Sequence, residues 1–92
     1  MANFFVSYDL NGPHPTHAQM DKHLQAVAGV YGRVLETVWY LSYGGTRQQL
    51  LAYVDKILSP NDRVLVVEAQ GATWRNLLIN DASLKSSMEA NW

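Results

Sequence analysis

Two copies of a helix-start signal, thirty residues apart, constrain the fold of this chain more than any other feature. Thr16-His17-Ala18-Gln19 and Thr46-Arg47-Gln48-Gln49 both have the Thr-x-x-Gln form of a capping box. In such a box the Thr and Gln side chains satisfy free backbone N–H groups at the first turn of a helix. Each signal therefore predicts a helix, and apolar residues at helical spacing follow both. They are Met20, Leu24, Val27 and Tyr31 after the first signal, and Leu50, Leu51, Val54, Ile57 and Leu58 after the second.

Segments rich in apolar and β-branched residues flank the two predicted helices. A strand over Phe4–Leu10 ends in the turn formers Asn11-Gly12-Pro13. Between the helices, Arg33–Ser42 is too long for one ordinary strand and predicts a pair that bends near Glu36-Thr37. Arg63–Ala69 predicts the last strand, and its uninterrupted apolar run is typical of a strand buried on both faces.

The predicted order is strand, helix, strand, strand, helix, strand. This order is the split βαβ plan of ferredoxin-like α+β folds, in which two helices cover one face of an antiparallel four-stranded sheet. Ninety-two residues predict a single domain, with the ferredoxin-like core over about residues 3–70 and a C-terminal extension over residues 71–92. In the extension, Leu84 and Met88 follow Asp81 at helical spacing and predict a small helix. We expect the second face of the sheet to be free to bind a partner or to dimerise.

Composition narrows the classes of partner and site. Seven Lys and Arg against eight Asp and Glu give a net charge of −1, which counts against strong non-specific nucleic-acid binding. The absence of cysteine excludes a disulfide scaffold and a thiolate metal site. No run approaches the roughly 18 apolar residues of a membrane span, and Asp9 interrupts the apolar start before a signal peptide could be completed. We therefore expect a cytoplasmic protein with no membrane partner.

Asp9 is the best single candidate for a chemical role. It stands near the carboxyl end of the first predicted strand, on the face opposite Tyr8. Two interpretations stay open. The carboxylate binds a metal ion, or it starts the turn by accepting backbone N–H groups from Asn11 or Gly12.

All three histidines fall within ten residues, at His14, His17 and His23. His17 and Asp21 have the i, i+4 spacing that puts two ligands on one helix face, so one interpretation is a metal site made of Asp9, His14, His17 and Asp21. The simpler interpretation is a set of polar residues in a loop and on the solvent face of the first helix.

Evenly spaced arginines are the candidates for nucleic-acid binding, namely Arg33, Arg47, Arg63 and Arg75. They would form a phosphate track if several converged across a dimer, and otherwise they occupy solvated positions.

Aromatic residues are numerous for so short a chain with modest charge. Because aromatic enrichment and depleted charge mark the core of an interface, Tyr8, Trp39 and Trp74 are predicted to lie in a dimer interface.

Two segments carry a resemblance to a known family, Phe5-Val6-Ser7-Tyr8-Asp9-Leu10 and Thr37-Val38-Trp39-Tyr40-Leu41. Together with the element order, they resemble the CRISPR-associated Cas-two family and the small SinR-like proteins of bacteria and phages, over roughly residues 3–70. Tyr8-Asp9 matches the family's first motif, a strand that ends in Tyr-Asp.

The resemblance implies a symmetric homodimer in which the Asp9 carboxylates of the two chains face each other across a cleft. It further implies that this pair binds Mg²⁺ or Mn²⁺ and cuts a phosphodiester of RNA or DNA. Some Cas-two relatives are structural adaptors, so the alternative implied function is a non-catalytic dimeric module that receives a protein partner. Exposed aromatics such as Trp74 or Trp92 would then contact that partner.

Overall fold

A four-stranded antiparallel sheet and three helices make up residues 1–91, the part of the chain that the computed structural model describes. The sheet has the order β2-β3-β1-β4, so β1 and β3 lie at its centre and β2 and β4 at its edges. None of the helices within these residues has the length and apolar character that crossing a membrane requires. The elements are β1 (Ala2–Asp9), α1 (His17–Val27), β2 (Val30–Leu35), β3 (Val38–Tyr43), α2 (Arg47–Asp55), β4 (Arg63–Ala69) and α3 (Asp81–Glu89).

Both predicted helix starts are confirmed as complete capping boxes. The backbone N–H of Gln19 donates to Thr16 Oγ1 at 3.2 Å, and the Gln19 side chain accepts from the Thr16 N–H at 2.8 Å. Thr46 and Gln49 form the same pair of bonds at the start of α2. The second helix ends at Asp55, so the last two residues of its predicted stripe lie beyond it.

The predicted bend near Glu36-Thr37 is also confirmed, because β2 ends at Leu35 and β3 begins at Val38. Alternate residues of the central strands then point to one face of the sheet, where they pack against α1 and α2. The buried residues of this core are Phe4, Val6, Tyr8, Met20, Leu24, Trp39, Leu41, Leu50 and Val54.

The C-terminal extension covers part of the opposite face of the sheet. The predicted small helix is confirmed as α3, which buries Leu84 and Met88 against Val34 and Tyr40. The expectation that this whole face is free is therefore wrong over β2 and β3. The apolar spacing of the extension predicted a helix but did not show where that helix would dock.

A buried polar network fastens α3 to the sheet. The side chain of Asn3 is only 2% exposed, and its Nδ2 donates to the backbone carbonyl of Met88 at 2.9 Å. Its Oδ1 accepts from Tyr40 Oη at 2.6 Å and from Asn91 Nδ2 at 2.9 Å. The Asn3 amide thus has partners for its donor and its acceptor, as a buried amide requires.

The last strand is not buried on both faces as its apolar run predicted. β4 is an edge strand paired with β1 alone, and Leu65 and Val67 on one of its faces are 61% and 43% exposed. An uninterrupted apolar run is common in central strands, but it does not encode how many neighbours a strand acquires.

Candidate functional site

Asp9 closes β1 with an exposed side chain. Strand alternation places it on the face opposite α1 and α2, and the register with β4 sets it across from Arg63. Its backbone carbonyl lies 3.5 Å from Asn11 Nδ2, whereas its carboxylate makes no hydrogen bond or salt bridge within residues 1–91. The carboxylate is thus available to a ligand from outside the chain.

Asp62 performs the turn function that was one interpretation of Asp9. The backbone N–H of Asn11 donates to Asp62 Oδ1 at 2.6 Å, and the N–H of Ser59 donates to Oδ2 at 2.7 Å. Asn11 Nδ2 also donates to the carbonyl of Asn61 at 2.9 Å. One carboxylate therefore ties the loop after β1 to the loop before β4. Sequence reasoning recognised a turn at Asp62 but had no signal for a partner 51 residues away.

These hydrogen bonds give Asp62 a role in acid stability. The backbone N–H groups of Asn11 and then Ser59 hold the pKa of Asp62 below its ordinary value of 3.8. Because the unfolded chain then binds the proton more readily, this carboxylate stabilises the fold above about pH 3.8 and stops doing so as the pH falls through the folded pKa.

We expect Asp62→Asn to lower the melting temperature at neutral pH and to reduce the loss of stability in acid. The variant and wild-type curves should converge as the pH falls below the ordinary carboxyl range. Thermal unfolding measured across acid and neutral pH tests this, with Asp55→Asn at the end of α2 as a control for loss of one charge. Parallel curves for wild type and Asp62→Asn would contradict the assignment.

The three histidines contact different residues. His23 Nε2 donates to the carbonyl of Tyr53 at 2.7 Å, and Tyr53 Oη donates to the carbonyl of His23 at 2.6 Å, with the two rings stacked 4.0 Å apart. His14 contacts Gln19, and the His17 ring lies 6.2 Å from that of Tyr8. His23 therefore links α1 to α2. Within the described part of the chain, no three His, Cys, Asp or Glu residues are grouped so that they could hold a metal ion.

Three of the four arginines predicted to bind nucleic acid, Arg33, Arg47 and Arg63, do not share a surface within one chain. Arg33 Nη2 lies 3.4 Å from a carboxylate oxygen of Asp21, on the α1 side of β2. Arg63 lies on the opposite face of the sheet and at the opposite edge. Arg47 starts α2, with its Nε 3.8 Å from Glu68 Oε1. Each of the three therefore stands beside or opposite a carboxylate.

Two of the three aromatics predicted for a dimer interface belong to the core of the single chain. Tyr8 and Trp39 are 2% and 4% exposed, because they lie between the sheet and α1. Neither has surface left for a partner. Trp74 is half-buried against the cluster under α3 and donates its Nε1 to Asp81 at 3.1 Å. Trp92 lies outside the described residues.

A buried polar cluster, which sequence reasoning missed, surrounds Tyr8. Tyr8 Oη, Asp21 Oδ1 and Trp39 Nε1 are all buried without a hydrogen-bond partner within residues 1–91. Burial and then the Asp21 carboxylate raise the pKa of Tyr8 above its ordinary value of 10.0. The hydroxyl therefore stays protonated at neutral pH and is no candidate for a general base.

Exposed large apolar side chains mark both edges of the sheet. Val30, Tyr31 and Leu35 lie on β2, and Leu65 and Val67 lie on β4. We use the name β4 edge for Leu65, Val67, the outer backbone of β4 and the neighbouring Leu51 of α2, which is 42% exposed. A shallow groove between that helix and the strand is lined by Arg47, Gln48 and Leu51 of α2 and by Val64, Leu65 and Val66 of β4.

No family model matches the chain, and no curated protein or solved structure shows significant similarity to it.

Proposed function

We propose that this chain is a homodimeric, non-catalytic protein-interaction module with a ferredoxin-like fold. Two strand-helix-strand units, β1-α1-β2 and β3-α2-β4, and the all-antiparallel order β2-β3-β1-β4 support that fold. In this proposal α3 is an addition to the ferredoxin-like core. A cytoplasmic location belongs to the same proposal and is tested by fractionation of the source cells.

The observation that carries the proposal is the β4 edge. Leu65 is 61% exposed, and its neighbours Val67 and Leu51 are also exposed beside the outer edge of β4, which pairs with no strand within residues 1–91. Sheet edges with apolar side chains attract another strand, so proteins protect them or use them for association. A 92-residue chain has a modest core, so such an association would add to its stability.

The charges favour a protein partner over a nucleic acid. Nucleic-acid binding needs arginines and lysines that are free to neutralise phosphates. Here Arg33 and Arg47 form ion pairs with Asp21 and Glu68, whereas Arg63 and Asp9, which are opposite each other in the strand register, form none within residues 1–91. The net charge of −1 adds no general attraction for phosphates.

The dimer predicts a specific effect of a charge at the β4 edge. We expect wild type to sediment as a dimer and Leu65→Lys to raise the dimer dissociation constant at least tenfold, or about 1.4 kcal/mol, because pairing would bury an unpaired ammonium group. Sedimentation equilibrium measures the constant, and circular dichroism checks the fold.

Leu35→Lys is the matched control, since it makes the same change at a residue that is 49% exposed on the other edge of the sheet. Equal weakening by both substitutions, or a wild type that is monomeric at every concentration, would overturn the proposal.

A metal-dependent nuclease of the Cas-two type is the second candidate, and the unengaged carboxylate of Asp9 favours it. One such carboxylate per chain gives a ligand pair only between two chains. Two Asp9 residues brought together by a face-to-face dimer would hold Mg²⁺ or Mn²⁺, which supplies positive charge at a phosphodiester.

Under this second candidate, we expect cleavage of RNA or DNA that requires the metal and falls by at least a hundredfold in Asp9→Asn. The assay uses single- and double-stranded substrates with Mg²⁺, Mn²⁺ or chelator. Asp55→Asn serves as the control for an exposed acidic residue. Absence of cleavage by a folded, dimeric wild type would remove the nuclease candidate.

A further inference from the structure

The two edges of the sheet differ in how well they are protected. At β2 the register shifts between Arg33 and Leu35, and the N–H of Leu78 donates to the carbonyl of Val34 at 3.0 Å. Irregular pairing, a charge and a covering segment are the means by which proteins block an edge. β4 has charges only near its ends, at Arg63 and Glu68. Within residues 1–91 its register with β1 is regular from residue 63 to residue 69, and it contains no proline.

Apolar groups flank β4 on both faces of the sheet. Leu65 and Val67 lie on the face away from α2, whereas Leu51 of α2 and the half-buried Val64 and Val66 line the groove on the other face. An isolated peptide strand would pair with the backbone of β4, but it would bring no helix whose side chains could contact Leu51 above the sheet. A second copy brings a strand with its own Leu51 above the sheet and its own Leu65 and Val67 below it.

We propose that two copies of this chain associate by antiparallel pairing of β4 with the partner's β4, about a two-fold axis at Val66. The result is one continuous sheet made of both four-stranded sheets. This inference rests on the homodimer of the proposed function and specifies its geometry. A two-fold axis at the middle of β4 makes the interface self-complementary, as a symmetric dimer requires.

The register follows from full overlap of the two strands. Val66 is the middle residue of Arg63–Ala69, so Leu65 faces the partner's Val67 on one side of the sheet, and the two Val66 residues meet on the other. Such directly opposed apolar pairs stabilise antiparallel strands. Arg63 faces the partner's Ala69 and Glu68 faces the partner's Val64, so no two like charges are opposed.

This geometry separates the two Asp9 carboxylates. Asp9 is level with Arg63, one strand in from the edge. With strands about 4.8 Å apart and a rise of about 3.3 Å per residue, the two Asp9 Cα atoms lie roughly 25 Å apart. Two carboxylates at that distance cannot share a metal ion. A dimer paired through β4 therefore cannot form the two-carboxylate metal site that the nuclease candidate requires.

The absence of native cysteine allows a direct test with single-cysteine variants. Residues directly opposed in antiparallel strands have Cα atoms about 4.5–5.5 Å apart, within the range of a disulfide. Under mild oxidation we expect Val66→Cys to form a disulfide-linked dimer at least tenfold faster than Val64→Cys. Both residues are half-buried on the same face, but two copies of residue 64 would be offset by about 13 Å along the strands.

A second measurement uses the two exposed positions, where substitution disturbs the fold least. In an equal mixture of Leu65→Cys and Val67→Cys, random pairing gives twice as much mixed disulfide as either symmetric one, and we expect the mixed disulfide to exceed that ratio at least fivefold. Sedimentation of the unmodified protein is run beside these reactions. If it shows a dimer but neither cysteine pattern appears, the β4 pairing is overturned and the homodimer stands. If it shows only a monomer, the pairing and the proposed function both fail.

Discussion

Phe4→Ala is expected to lower the free energy of unfolding by about 3–5 kcal/mol, because it empties the centre of the core. Phe4 is fully buried in the central strand β1, paired in register with Leu41 of β3. Its ring contacts that of Tyr43 edge to face, with centroids 5.8 Å apart. Since small proteins have a total stability of about 5–15 kcal/mol, one such cavity removes a large part of it.

Urea unfolding, followed by circular dichroism at a fixed protein concentration, measures this loss. Leu78→Ala is a suitable control because Leu78 is a large apolar residue that is 59% exposed. We expect the control to change stability by about 0.5 kcal/mol or less. A loss for Phe4→Ala no greater than that of the control would mean that the core is not arranged around β1.

Asn3→Leu is expected to release α3 from the sheet while leaving the four strands paired. The substitution keeps the branched shape of the side chain at Cγ but leaves Tyr40 Oη and the carbonyl of Met88 buried without the amide that they bind. Each orphaned buried group costs about 1–3 kcal/mol. We therefore expect a loss of about 3 kcal/mol, concentrated at the contacts of the C-terminal extension.

Hydrogen exchange distinguishes local release from global unfolding. In Asn3→Leu, the amides of α3 should exchange at least tenfold faster, and those of β1 and β3 should change less. Ser42→Ala is the control, because it removes only the 3.3 Å hydrogen bond from Asn91 Nδ2 and the contact with Met1 at this network. Uniform acceleration over the whole chain would contradict a separable α3.

Local signals predicted most elements of this fold. The capping boxes at Thr16 and Thr46 specify helix starts through bonds between residues three apart, so they could be recognised directly in the sequence. The range Arg63–Ala69 also agrees with the structure, since its apolar run is bounded by turn formers and Gly71. In these cases the information lies within a few neighbouring residues.

What could not be predicted depends on contacts between distant segments. Nothing near Asn3 indicates that its amide binds the carbonyl of Met88, 85 residues later. The exposure of Leu65 likewise depends on β4 having one neighbour instead of two. Asp9 was identified as the leading candidate, but the role of Asp62 beside it required the two loops to meet.

The candidate interface residues illustrate the same limit. Tyr8 and Trp39 are large, amphipathic and close to charged residues in the sequence, a combination found both in interfaces and in cores. Because α1 packs over the central strands, both side chains lie in the core of the single chain. Periodicity places such residues on a face of the sheet, but it does not say which helix or segment covers that face.

The blocked edge at β2 sets the size of an assembly built through β4. When β4 pairs with its own copy, the unpaired edges of both chains are covered at once. The ends of the combined sheet are then two β2 strands, each with its register shift and its bond from Leu78 to Val34. In the proposed dimer, the irregular register and the bond at Val34 would oppose the addition of a third chain at β2, so growth would stop at a closed pair. A sheet with two open edges would instead add chains without limit, so in the proposed dimer the short covering segment before α3 would act against the formation of fibres.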